Sequence, residues 1–253
     1  MTPHPRLDDE LRRRTRFGRL VHVASCASTQ DLAAEQDLAD PADLIVWADH
    51  QTHGRGRQRR AWDDTGGLDL AVTFRVRADL PNPVALPAAL PVAVLDACEP
   101  MAGKSLRIKW PNDVYAGGQK LSGVLVDRDS DRPEVYRIGV GVNVNRLHFP
   151  PELDDKATSL RLLAGHELDR SAALLALAES VDEMLHAISA DGDDRAHLAS
   201  FRERLGLMHR EVTVTAGRTM SGTLTDINFD RLVLNDSQPV PLAIVTGLAA
   251  KTP

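Results

Sequence analysis

Cysteine is scarce in this 253-residue chain. Cys26 and Cys98 are the only two, and they stand in no CxxC or Cys/His arrangement. That excludes a thiolate metal site by spacing, and a single possible disulfide says little about secretion. Both are expected as reduced thiols in or near the core. No run approaches the roughly 18 consecutive apolar residues of a membrane span. The opening MTPHPRLDDELRRRTRF has no apolar stretch behind its charges, so a signal peptide is not expected and the cytoplasm is the default. A basic surplus is also missing. The net charge of −6 argues against broad nucleic-acid binding and leaves room only for a local basic loop serving one anionic ligand. No internal repeat, low-complexity linker, Walker A ending or GxGxxG fingerprint is present, and no Ser/His or Cys/His constellation suggests a protein nucleophile.

What is present is a chain long enough for one substantial core and a small appended domain. Residues 1–20 read as a tail and short helix whose Arg12, Arg13, Arg14 and Arg16 form a solvated face. That is too short for a helix-turn-helix, so DNA binding is not expected. Ser28-Thr29-Gln30-Asp31 reads as a capping-box helix start, with Leu32, Ala33, Ala34 and Leu38 following before Pro41. Leu44–Ala48 and Leu68–Val76 read as strands, and the Ala/Leu/Val-rich span from Leu86 to Cys98, with Pro87 and Pro91 near its start, as a buried helix. Leu121–Val126 and Val135–Val144 are further strands, with a turn at Gly117-Gly118. Leu174, Leu177, Val181, Met184, Leu185 and Ile188 recur at helical spacing. After Gly206 the pattern turns to short β runs at 211–215, 219–227, 231–234 and 240–245, that of a small β-barrel.

Four segments carry polar chemistry. In Gly54-Arg55-Gly56-Arg57, alternating glycines allow close backbone approach and the arginines offer forked donors for phosphate or carboxylate, although the loop alone reads more readily as exposed basic surface. Trp62 is a packing residue or a stacking face for a purine, and Gln51 a solvated amide or a partner for a polar ring. In Lys109–Asp113, Pro111 turns the chain, and Asn112 and Asp113 either cap local backbone or organise a nucleotide and its Mg²⁺. Lys120 follows the Gly-Gly turn and leads into an apolar strand, which would hold it rigidly beside a cleft. Gly139 and Gly141 alternate within a strand, which needs a ligand ring or another backbone close by. Asn143 lines a cavity or satisfies a bulge.

STQ, QTHGRGRQRRAW, KWPNDV, GGQKLSGVLVD, GVGVNVN and ATSL (157–160), in that order, resemble the biotin protein ligases over roughly residues 20–250. The resemblance implies an α/β (α+β) catalytic domain, a mixed sheet with surrounding helices, at 21–205 after the tail at 1–20, and a small SH3-like β domain at 206–253. It implies ATP-dependent attachment of biotin to a lysine of a carrier domain of a carboxylase, through biotinyl-5′-AMP, with Mg²⁺ accompanying ATP. Ser28, Thr29, Gln30, Gln51, Arg55, Gly56, Arg57, Lys120 and Gly123 match biotin-side positions, and Lys120, Arg55 and Arg57 carry the catalytic charge. Arg60 falls on the nucleotide side, and Trp62, Lys109, Asn112, Asp113 and Asn143 at nucleotide-side or structural positions; the metal ligands are unassigned. Two positions depart from the pattern: Arg59 replaces a glycine of GRGRxGR, with less freedom for positive φ, and Gln30 stands where Asn or Asp is commoner. Lipoate attachment and non-catalytic biotin binding are the competing readings. No DNA or membrane partner is expected, and the protein could be a monomer or a homodimer.

Overall fold

The structure, a computed structural model, describes residues 4–36, 43–64 and 66–251, together with the main chain but not the side chain of Arg59. Leu38 and Pro41 of the expected first helix lie outside the described residues.

The chain begins with α1 (Pro5–Arg14), which buries Leu7 and Leu11. Its arginines are not merely solvated. Arg12 Nε donates to Gly18 O (3.0 Å), Arg14 pairs with Glu179, and just beyond the helix Arg16 pairs with Asp43 and donates to Arg77 O (2.9 Å). The tail expected up to residue 20 gives way earlier to β1 (Phe17–Cys26). Weak alternation hid this strand, because it lies at the edge of a sheet with its burial irregular.

Seven strands form the main sheet in the order β1-β2-β3-β7-β6-β5-β4: β1, β2 (Asp43–Gln51), β3 (Leu70–Arg77), β4 (Arg107–Lys109), β5 (Asp113–Ala116), β6 (Gln119–Arg128) and β7 (Val135–Val142). Only β1 and β2 run parallel; the other neighbours are antiparallel, so the sheet is mixed. β3 is buried along nearly its whole length, with Thr73 and Arg75 buried among its apolar residues. Gly117 and Gly118 take positive φ (56° and 88°) in the turn joining β5 to β6, a conformation that only glycine adopts without strain.

Helix α2 (Thr29–Glu35) sits on β2, β3 and β7. Ser28 is its N-cap, but the hydroxyl makes no capping bond, so the expected capping box is absent. Helices α3 (Leu86–Ala102) and α5 (Arg170–Ala187) pack on each other, with α4 (Leu160–Ala164) beside α3. The Pro83–Ala102 segment has the length and composition of a membrane span, yet most of it is buried within the fold, as befits a core helix. Burial pushes the Cys98 thiol on α3 up to about 12 and that of Cys26 up to about 11, and neither forms a disulfide.

Helix α6 (Arg195–Leu205) ends at Gly206, left-handed at φ 66°. A five-stranded antiparallel sheet follows in the order β11-β10-β9-β8-β12: β8 (Glu211–Ala216), β9 (Arg218–Ile227), β10 (Arg231–Leu234), β11 (Val240–Pro241) and β12 (Gly247–Ala250). Among the described residues β11 and β12 do not pair, so the sheet is open rather than closed into the expected barrel. The run expected as a strand at 240–245 extends for two residues and then turns into a 3₁₀ segment, Leu242–Ile244. One continuous apolar cluster extends from Leu7 through both sheets to Leu248.

Candidate active site

A cavity of about 400 Å³ opens over β6 and β7, within the size range of small-molecule sites. Its floor is made by the alternation expected at Gly139 and Gly141, which share one face of β7. Two side chains of the same chain approach them. A β-carbon on Gly139 would lie 2.7 Å from Gln30 Nε2, and one on Gly141 would overlap the indole of Trp62. The strand lacks side chains there because these two neighbours fill the space.

One end of the cavity is polar and buried. Ser28, Thr29 and Gln30 are each at most 4% exposed. Gln51 Oε1 accepts from the Thr29 amide (2.9 Å) and from its hydroxyl (3.1 Å), while Thr73 Oγ1 donates to Thr29 Oγ1 (2.9 Å). Gln30 Nε2 donates to the main-chain oxygens of Leu125 (3.1 Å) and Arg137 (3.3 Å). Its Oε1 is buried with no partner, an acceptor aimed at nothing in the protein. An unpaired buried acceptor of this kind carries a desolvation cost unless a ligand donor meets it.

The other end is cationic. Lys120 Nζ lies 2.7 Å from Asp113 Oδ1 and 5.6 Å from the centre of the Trp62 ring. Asp113 reaches it because β5 and β6 pair Asp113 with Gly123, where any β-carbon would crowd both charged groups at 3.1 Å. The main chain of Lys120 is fixed independently. Its N–H donates to Lys156 O (2.7 Å) and its carbonyl accepts from Thr158 N–H (2.9 Å), which gives the ATSL segment a physical role. Arg57 reaches Asn112 Oδ1 (3.3 Å), and burial lowers its guanidinium's pKa, against the opposing field of Asp113. Asn112 in turn donates from Nδ2 to Val124 O (2.5 Å). Arg55 pairs with Asp31 at the mouth, and Lys109 stands exposed at the rim above the Tyr115 ring (4.8 Å).

The basic loop is a pinched flap. Arg55 and Ala61 form a bridge, Gly56 N–H donates to Arg60 O (2.7 Å), and Trp62 N–H to Gly54 O (2.9 Å). Gly54 is required by approach rather than torsion, since a β-carbon there would lie 2.7 Å from Trp62 O. The left-handed residue in the flap is Gln58 (φ 54°), not Arg59, so the missing third glycine imposes no strain where it was expected.

Fourteen of the fifteen expected site residues therefore line one cavity. Asn143 does not. It is 5% exposed and its Nδ2 donates to Thr158 O (2.9 Å), supporting the segment that holds the Lys120 main chain. Sequence reasoning missed Tyr115, Trp110 and Thr246, which also line the cavity. Thr246 comes from the turn before β12, and no local pattern linked it to the site.

Residues 23–145 match the Biotin/lipoate A/B protein ligase family. The chain is 38% identical over 164 residues to the bifunctional ligase/repressor BirA of Bacillus subtilis, covering 61% of this chain and 50% of that protein. It is likewise 38% identical over 157 residues to the biotin–[acetyl-CoA-carboxylase] ligase of Mycobacterium tuberculosis, covering 59% and 57%. The chain thus spans about half the length of the curated relatives it matches. Among solved structures it resembles the biotin protein ligase from Aquifex aeolicus in complex with biotin and ATP. There the TM-score is 0.80, with 25% identity over 93% of this chain and 100% of that one.

Proposed function

We propose that this protein ligates biotin to a lysine of a biotin carboxyl carrier domain, using ATP and passing through biotinyl-5′-AMP. The observation that carries the proposal is the polarity of the cavity: buried amide groups at one end, Lys120 and Arg57 at the other, and Arg55 at the mouth. Biotin has the same polarity, a ureido ring at one end and a carboxylate at the other. Gln30 Oε1 and Gln51 Nε2 supply an acceptor and a donor for the ring, and the arginine flap covers its chain. A lipoyl dithiolane has neither N–H nor C=O and would leave the Gln30 acceptor buried and unpaired, which favours biotin. Purely non-catalytic binding gives no reason to gather three cations where one carboxylate sits.

In the first step a biotin carboxylate oxygen attacks the α-phosphorus of ATP, the bond to the β-phosphate oxygen breaks, and pyrophosphate leaves. Lys120 exchanges its contact with Asp113 for the carboxylate and the α-phosphate, and Arg55 and Arg57 balance charge as it builds on the transferring group. Trp62, Arg60, Lys109, Asn112 and Asp113 serve the nucleotide. Among the described residues Asp113 is the one carboxylate lining the cavity, which suits a Mg²⁺ held mainly by substrate phosphates; the ion would supply further neutralisation of the triphosphate. In the second step a carrier lysine amine attacks the acyl carbon and AMP departs. The flap keeps water from the mixed anhydride between the two steps.

The catalytic unit comprises the seven-stranded sheet, from Phe17 on β1, with its helices through Leu205, and the second sheet forms an SH3-like domain. The reaction needs neither DNA nor membrane, fits the cytoplasm, and runs in a monomer or a homodimer. The test is the intact mass of a carrier domain after incubation with the protein, biotin, ATP and Mg²⁺, with parallel reactions lacking ATP or offering lipoate. One ATP-dependent biotinyl addition supports the proposal; lipoyl addition or none defeats it.

A further inference from the structure

Arg146 follows the GVGVNVN strand and lies outside the cavity, and the ligation chemistry makes no use of it. Its side chain is 2% exposed and meets Asp69, equally buried, through Nε at 2.5 Å. That pair alone would balance its charge. The remaining arms of the guanidinium reach elsewhere. Nη1 donates to Asp63 Oδ2 (2.8 Å) and Nη2 to the main-chain oxygen of Asp63 (2.5 Å). A planar fork that takes both the side chain and the peptide of one residue fixes that residue's orientation as well as its charge.

Asp63 is where the flap ends, directly after Trp62, whose indole lies over Gly141 beside Lys120. The same arginine is tied to the lysine from the other side. Asp69 Oδ1 accepts from Val144 N–H (3.1 Å), and the carbonyl of Arg146 accepts from Ser159 Oγ (2.5 Å). Ser159 adjoins Thr158, whose N–H donates to Lys120 O. The root of the flap is thus fastened to the buried side chain of Arg146, and the segment that holds the Lys120 main chain is fastened to the carbonyl of the same residue.

We infer that Arg146 is a positioning residue, a strut that sets the angle of the arginine flap and Trp62 over Lys120. The inference rests on the ligase reading above. It predicts that loosening the strut weakens hold on substrate and adenylate more than it slows chemistry. Asp63→Ala is the main test, because that side chain is 48% exposed and its loss leaves the buried Asp69 pair intact. Arg146→Lys keeps the charge but not the fork, and Asp63→Asn keeps an acceptor.

Each variant is compared with the wild-type protein for melting temperature, for tryptic cleavage within residues 55–60 without ligand, and for biotin KM and kcat in adenylate formation. Asp63→Ala should melt with the wild type, be cut faster in the flap, and show a biotin KM about tenfold higher, as for loss of one charge-assisted bond. Its kcat should stay within about twofold, and more biotinyl-AMP should escape per carrier labelled. Asp63→Asn should recover most of the defect. Flap cleavage and biotin KM unchanged in Asp63→Ala would overturn the strut. A wild-type protein that forms no biotinyl-AMP would defeat the ligase reading instead, and the tryptic comparison would still judge the strut.

Discussion

Adding one methyl group at Gly141 should expel Trp62 from its seat. The β-carbon of Gly141→Ala would overlap Cε2 and Cζ2 of the indole and lie 2.8 Å from Cη2. The strand cannot yield, because Gly141 is paired with Ala71 of β3 on one side and Gly123 of β6 on the other. The ring must therefore move. Overpacking of this kind costs about 1–3 kcal/mol, so the variant should fold and melt lower. On the role proposed for Trp62, it should also lose affinity for ATP. The decisive assay is a double-mutant cycle with Trp62→Ala, measured by denaturant unfolding and tryptophan emission. Once the indole is gone the methyl group enters open space, so the cycle should show coupling of about 1 kcal/mol or more. If Gly141→Ala destabilises the Trp62→Ala protein as much as it does the wild type, the reasoning is wrong and the glycine serves the strand itself.

Lys120→Ala should fold normally and reduce adenylate formation by about 100- to 1,000-fold, the effect of losing one charge stabiliser; pyrophosphate release measures it. Biotin with ATP should protect the flap from trypsin, and identical cleavage of free and liganded protein would contradict closure. Burial lowers the His22 pKa, opposed by Asp49 and assisted by His4 and Arg170, so the folded state resists its protonation. The unfolded chain then binds more protons, and stability should fall as pH drops below about 6.5, the unperturbed histidine value. Melting curves from pH 7.5 to 5 should show a smaller acid loss in His22→Gln. Because their thiols ionise only near 11 and 12, Cys26 and Cys98 should resist iodoacetamide at pH 8, with ligation unaffected; mass spectrometry reads the adducts.

Much of the site was legible because each motif is a local solution to a steric or electrostatic demand. GVGV signals a strand face that something occupies, and GGQK a tight turn delivering a lysine. The occupants of that face were not legible. Gln30 and Trp62 arrive from 109 and 79 residues upstream of Gly139 and Gly141, respectively, and no local pattern encodes that meeting. The place of Asn143 was not legible for a related reason. An asparagine flanked by valines satisfies a neighbouring segment as readily as it lines a cavity, and only the position of Thr158 decides between the two. Edge strand β1 escaped because its alternation is weak, and β4 and β5 because 3 and 4 residues are too few to declare a period. The open second sheet was read as a barrel because turn spacing does not say whether edge strands meet.

Thr246 stands in the cavity wall although it is encoded forty residues after Gly206, in the turn that leads to the last strand. Exchanging the C-terminal portion of this chain for that of a distant relative would therefore swap part of the pocket as well as its appendage. Chimeras joined at Gly206 inherit a seam through the binding site, and a productive graft must carry a residue of matching size at that position.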